Sequence, residues 1–286
     1  MRWKKVEGRG DVEDRRGQGG TGGMGIPMGK MGGGGLGLLL VVVLGLLLGT
    51  NVLGGSSGDS GLTPGGFETV TQGTSTLPQE DSAFEFAKAV SKDAQDFWRD
   101  RFAESGRTYE RAPVVIFTSG TRSACGVASS ATGPFYCPGD GKVYLDLSFF
   151  DELSRRFGAP GDFAAAYVIA HELAHHVQGV LGIEADMRRK QREDPGNANL
   201  YSVKLELQAD CLAGVWGRSV YDRGDLDPGD IEEGLGAAAA VGDDRLGARS
   251  PEQWTHGSSA LRVKWFERGF ESGDPGACDT FGADQL

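Results

Sequence analysis

The chain has little histidine, four residues in 286, and no two of its four cysteines stand at CxxC spacing. Zinc ribbons and fingers built on cysteine pairs are thereby excluded, and an even cysteine count fits two disulfides instead. Disulfides imply an oxidising compartment. Net basic charge is also missing: the formal charge is −11, with no concentrated basic patch, which argues against a nucleic-acid partner. No internal repeat is visible, so a solenoid is excluded. Finally, Lys and Arg are absent from 31–87, a gap that bears on topology.

Within that gap lies the run "LGLLLVVVLGLLLGTNVL". No charge falls between Gly32 and Leu53, and about 20 residues suffice to cross a bilayer core. Seven basic residues precede it (Arg2, Lys4, Lys5, Arg9, Arg15, Arg16, Lys30) and none follows until Lys88, which places the N-terminus inside. The expected organisation is a Gly-rich cytoplasmic tail (1–35), a transmembrane anchor (36–53), a flexible Gly/Ser/Thr/Pro linker (54–79) and one outer domain (80–286). The expected location is therefore the cytoplasmic membrane, single-pass, with the domain on the extracytoplasmic side. A cleaved signal peptide or a buried apolar helix would also produce such a run.

The outer domain, about 200 residues, is long enough for one real core. "DSAFEFAKAVSKDAQDFWRDRF" has helical apolar spacing, and "APVVIFTSG" reads as a short strand. The Gly- and Cys-rich stretch after it reads as a loop. "KVYLDLSFF" alternates and reads as a strand with one buried face. It is a candidate edge strand for binding an extended peptide, or else an interior strand. A helix follows from Asp162, its expected cap, to Gly182. The polar residues 185–198, with Pro195 and Gly196, read as a crossover loop. Further helices are expected over "LYSVKLELQADCLAGVWGRSVY", around 229–241 and around 258–271. The fold class is α+β, a small sheet with helices packed on it.

Three of the four histidines fall in "AHELAHHVQG". On a helix His171 and His175 share a face, and Glu172 is turned by about 100° beside them. This HExxH arrangement suits two zinc ligands plus a general base. The flanking residues are small or apolar, and a buried unpaired His and Glu would be costly, whereas a metal offsets that desolvation. His176 points elsewhere and reads as a surface or supporting histidine. A catalytic zinc site needs a third protein ligand. Glu206 and Asp210 share a face of an otherwise apolar helix, so Glu206 can supply that ligand. Asp210 can accept the free N–H of a ligating histidine.

These motifs resemble the gluzincin metallopeptidases, with HExxH followed about 30 residues later by ExxxD. Together with "GPFYCPGDGKVYLDLSFFDEL", "THGSSALRVKWFERGF", "MRWK" and "VEDRRG", the chain looks like the bacterial neutral zinc metallopeptidases, usually single-span membrane-anchored proteins. The resemblance implies a compact zincin-like (minigluzincin) domain with an active-site helix and a ligand helix. It also implies Zn²⁺ on His171, His175 and Glu206, Glu172 as base and a peptide or protein substrate. Gluzincins often carry a late oxyanion donor, which makes His256 the candidate, though a scaffold role for this loop histidine is the other reading.

The cysteines allow a short bridge, Cys125–Cys137, across a loop of 12, worth roughly 2–3 kcal/mol by chain entropy. Cys211 and Cys278 would then pair and tie the C-terminal tail to the ligand helix. The function expected is a membrane-anchored zinc endopeptidase, a hydrolase. A metal-binding module without turnover, or a disulfide-stapled structural envelope domain, are the alternatives. An intact Glu172 argues against the first and the His/Glu constellation against the second.

Overall fold

The computed structural model describes residues 1–8, 10–17, 78–248, 250–283 and 285–286. Its elements run β1 (Val12–Asp14), α1 (Pro78–Glu104), β2 (Val114–Phe117), β3 (Gly120–Ser123), β4 (Gly126–Ser129), β5 (Phe135–Cys137), β6 (Lys142–Asp146), α2 (Ser148–Arg155), α3 (Asp162–Val180), α4 (Ile183–Glu193), α5 (Ala198–Asp222), α6 (Asp230–Ala240) and α7 (Ser259–Ser272). The α+β expectation holds. A four-stranded sheet, ordered β1-β2-β6-β5, is parallel except for β5, and β3 and β4 form a separate antiparallel hairpin.

Val114, Ile116, Val143 and Leu145 enter the main core with apolar residues of α1, α3 and α6. The opposite side chains, Val115, Phe117 and Tyr144, pack with Ala128 of the hairpin and Cys137. Both sheet faces are thus covered, and the one-faced reading of β6 is corrected: Tyr144 and Asp146 are each 1% exposed. The strand also ends early. Asp146 accepts the Ser148 N–H at 3.0 Å, and α2 begins where the alternation was expected to continue. β6 lies between β2 and β5, so it is interior, and the sheet edge near α3 is β5.

The expected loop before β6 contains β3, β4 and β5. Cys125, at the hairpin tip, bonds Cys137 at the end of β5, and the second disulfide, Cys211–Cys278, is also present. The expected crossover at 185–198 is largely helix α4. Polar almost all round, with only Met187 buried, it is supported by Glu184–Arg188 at i,i+4. Periodicity cannot reveal a helix that buries so little.

α3 ends as expected before Gly182, whose φ of +76° suits the left-handed turn. Asp162 is its first residue rather than its cap. Glu233 of α6 accepts the Phe163 N–H at 3.1 Å instead. α5 and α7 touch backbone to backbone. A Cβ on Gly269 would lie 1.9 Å from the Cys211 carbonyl oxygen, and one on Gly214 would lie 2.1 Å from that of Phe266. Only glycine allows this approach.

The tail expectation is corrected for residues 1–17. β1 pairs with β2 in parallel register, Val12 opposite Val114 and Asp14 opposite Ile116. Val12 is buried in the core, and the Met1 ammonium meets Asp162 at 2.7 Å and Asp230 at 3.1 Å. This stretch is polar and Gly-rich by composition but acquires structure from its partners. The expected anchor and nearly all of the expected linker lie outside the described residues. No helix among the described residues is long and apolar enough to cross a membrane.

Candidate metal centre

α3 and α5 pack against each other in the middle of the fold and carry the expected donors on facing sides. His171 Nε2 stands 3.2 Å from His175 Nε2 and 3.2 Å from Glu206 Oε2, and His175 Nε2 stands 3.5 Å from Glu206 Oε1. Donors held at about 2.0–2.1 Å around a tetrahedral ion lie about 3.3 Å apart. The three side chains therefore stand close to the spacing that one zinc ion asks of its donors.

The other ring nitrogens are already engaged. His171 Nδ1 lies 2.9 Å from Asp210 Oδ1, the partner expected for it. His175 Nδ1 lies 2.8 Å from Gln178 Oε1, and the Gln178 amide donates to the Leu205 carbonyl at 2.8 Å. Both imidazoles are fixed with Nε2 aimed at one point, which is how supporting hydrogen bonds prepare a metal ligand.

Three supporting residues were not found from sequence. Arg262 of α7, 3% exposed, donates to Asp210 from Nε at 2.9 Å and from Nη2 at 2.8 Å. It also donates to the Tyr167 hydroxyl at 3.2 Å, and that hydroxyl donates to Asp210. Asp210 is fully buried, and four donor atoms from Arg262, Tyr167 and His171 converge on its carboxylate. The third residue is Gln178. Tyr167 stands four before His171 on α3, so helical spacing was the one signal available for it. No spacing connects Arg262 with Asp210.

His256 does come to the site. It lines a cavity of about 500 Å³ together with His171, Glu172, His175, Glu206, Arg262 and Tyr136 of β5. Its Nδ1 lies 3.2 Å from Asp243 Oδ1 and 3.0 Å from the Thr255 hydroxyl. Asp243 Oδ2 accepts the backbone N–H groups of Thr255, His256 and Gly257 at 2.7, 2.7 and 2.9 Å. Asp243, another residue the sequence did not single out, thus fixes both the loop and the ring. The Ser258 hydroxyl caps α7 at once after it.

His176 is not at the centre. It is buried, its Nε2 lies 2.6 Å from the Glu110 carbonyl, and burial lowers its pKa. Glu184, the other acid in the cavity wall, is held by Arg188.

In the metal-free protein, burial pushes His171 towards the neutral ring, but the Asp210 and Glu206 carboxylates outweigh it and raise the pKa to about 9. Burial likewise opposes ionisation of Glu206, and the two histidines outweigh it, holding this carboxyl well below its usual range. The raised His171 pKa stabilises the metal-free fold below its ordinary value, and that contribution is lost as pH rises through about 9. Zinc needs the neutral ring, so metal and proton compete. Zinc uptake at neutral pH should release about one proton per ion. Titration calorimetry in buffers of different ionisation enthalpy measures this, and affinity should rise with pH towards about 9.

Two histidines and a glutamate, with an acid following the first histidine, define a candidate single-ion metal centre of hydrolase type. The chain belongs to the family described as "Putative neutral zinc metallopeptidase", whose model matches residues 1–281. It is 45% identical over 296 residues to the uncharacterized protein YpfJ of Escherichia coli K12, covering 99% of both chains. It is also 45% identical over 194 residues to the uncharacterized protein Rv2575 of Mycobacterium tuberculosis, covering 62% of this chain and 65% of that one. No solved structure matches.

Proposed function

We propose that the protein is a zinc-dependent endopeptidase with a zincin-like active site, working on the oxidising side of the cytoplasmic membrane. The observation that carries this reading is the convergence of His171, His175 and Glu206 on one point, beside Glu172, in the wall of an open cleft. The two disulfides support the compartment.

Zinc, when bound, supplies a Lewis acid that makes water nucleophilic near neutral pH and polarises a carbonyl. His171, His175 and Glu206 hold it, with the imidazoles oriented by Asp210 and Gln178. Glu172 takes a proton from the water as its oxygen bonds to the scissile carbonyl carbon. The same carboxyl then passes that proton to the leaving nitrogen as the C–N bond breaks. His256, its ring fixed through Nδ1 by Asp243, offers Nε2 to the oxygen that gains charge. β5 is the sheet edge on this side and lines the cleft through Phe135 and Tyr136, so the peptide pairs with β5 and not with β6.

The test is metal content together with cleavage. The full chain should hold one zinc and cut a peptide library, lose cleavage to a chelator and regain it with zinc. Zinc held without cleavage of any peptide would leave a binding module. His256→Ala should keep zinc and fold and lose roughly 10²–10³ in kcat, the cost of one oxyanion donor. Normal kcat with a lowered Tm would instead make His256 part of the scaffold.

A further inference from the structure

The first seventeen residues are fastened to the domain at many points. Along β1, the Val114 N–H donates to the Asp11 carbonyl at 2.8 Å and the Arg15 N–H donates to the Ile116 carbonyl at 2.7 Å. Asp11 accepts Arg111 Nε at 2.7 Å, and Glu13 takes Lys142 Nζ at 3.0 Å. Arg15 reaches across to the hairpin, donating to the Thr121 hydroxyl at 3.2 Å and the Arg122 carbonyl at 3.0 Å. Lys88 of α1, 5% exposed, donates to the Gly8 carbonyl at 3.1 Å. Trp3 stands edge-on to Phe86 with ring centroids 5.6 Å apart. These contacts reach α1, three strands and the sheet core, so the segment is a structural part of the domain.

The described residues on either side of 18–77 lie close together. Arg16 Nη1 lies 3.4 Å from Asp81 Oδ1, in the first turns of α1. Residue 16 and the first turns of α1 are therefore neighbours on the folded body. A single membrane crossing would put the two ends on opposite sides of a hydrocarbon layer about 30 Å thick. Contacts of 2.7–3.4 Å cannot survive that separation. The apolar run Leu36–Leu53, 18 residues, is enough for one crossing and too short for two.

We infer that residues 1–17 and the metal site lie on the same side of the membrane, so that no single crossing separates them. Three of the seven basic residues that suggested a cytoplasmic tail have partners in the fold: Arg2 pairs with Asp227, Arg15 with Glu13, and Arg16 with Asp14 and Asp81. Charges neutralised by folding do not hold a tail in the cytoplasm.

The test is side-specific labelling of the full chain in intact spheroplasts with a membrane-impermeant maleimide. Lys5→Cys reports on the N-terminal segment and Arg99→Cys on α1. Both positions are exposed and neither belongs to the metal centre. The unsubstituted chain supplies the background from its own cysteines. The expected result is equal labelling of both variants before lysis. Labelling of Arg99→Cys before lysis and of Lys5→Cys only afterwards would overturn the inference. Equal labelling of both only after lysis would sustain it, while moving the domain into the cytoplasm and removing the compartment assigned under the proposed function. Cleavage and zinc content are measured separately, so failure of the peptidase reading leaves this result untouched.

Discussion

Glu172→Gln should keep its zinc and lose about 10²–10⁴ in kcat/KM, the usual contribution of a positioned general base. Glutamine keeps the shape of the side chain but cannot accept a proton. Glu172 lies outside the donor set formed by His171, His175 and Glu206, so metal content should stay near one ion per chain. His175→Ala is the contrast: it removes a ligand, and zinc and activity should fall together. Metal analysis and peptide cleavage on the two variants separate the roles. Normal cleavage by zinc-loaded Glu172→Gln would sink the mechanism.

Arg262→Met should destabilise the fold by about 3–5 kcal/mol, the range found when one partner of a buried charged pair is removed. Asp210 is fully buried, and Arg262 gives it two hydrogen bonds. Without them burial opposes ionisation of Asp210, and the Tyr167 and His171 groups must satisfy it alone. The effect extends to the metal. A loosened Asp210 no longer fixes the His171 ring, and zinc affinity should fall about 10–100-fold. Urea denaturation gives the first quantity and competition with a zinc chelator the second. The double variant Arg262→Met, Asp210→Asn removes the orphaned charge, so it should recover stability without recovering affinity. Equal stability of Arg262→Met and the parent chain would show that the pair contributes nothing.

The residues readable from the chain are those whose chemistry depends on short spacing. His171, Glu172 and His175 are fixed by the 3.6-residue turn of α3. Glu206 and Asp210 are fixed by the same turn of α5, and their neighbours told that the face is buried. The Ser258 cap and the stop at Gly182 are equally local. Among the features that misled, two are local. The polar helix α4 has no apolar stripe, and Pro195 and Gly196 just beyond it read as loop. The short strands β3, β4 and β5 are three or four residues each, too brief for alternation to register.

Arg262 was legible only as a residue of an amphipathic helix. Its partner Asp210 is 52 positions away, and what brings them together is the contact of α5 and α7 at Gly214 and Gly269. Asp243 meets His256 through a loop, and β6 is interior because β5 turns back on it. The N-terminal residues show the same limit most plainly. Their glycines and charges describe a solvated tail, and by composition they are one. β2 offers a free edge, Arg111 and Lys142 offer charges, and the core admits Val12. The sequence by itself determined the long apolar-faced helices and singled out His171, Glu172, His175 and Glu206 as the candidate donors and base, because those follow from backbone periodicity within a few turns. Only the tertiary structure decided which strand is the edge, what holds the donors in place and that residues 1–17 are part of the folded domain. Those depend on groups far apart in the chain, brought together by packing and charge pairing that no local pattern encodes.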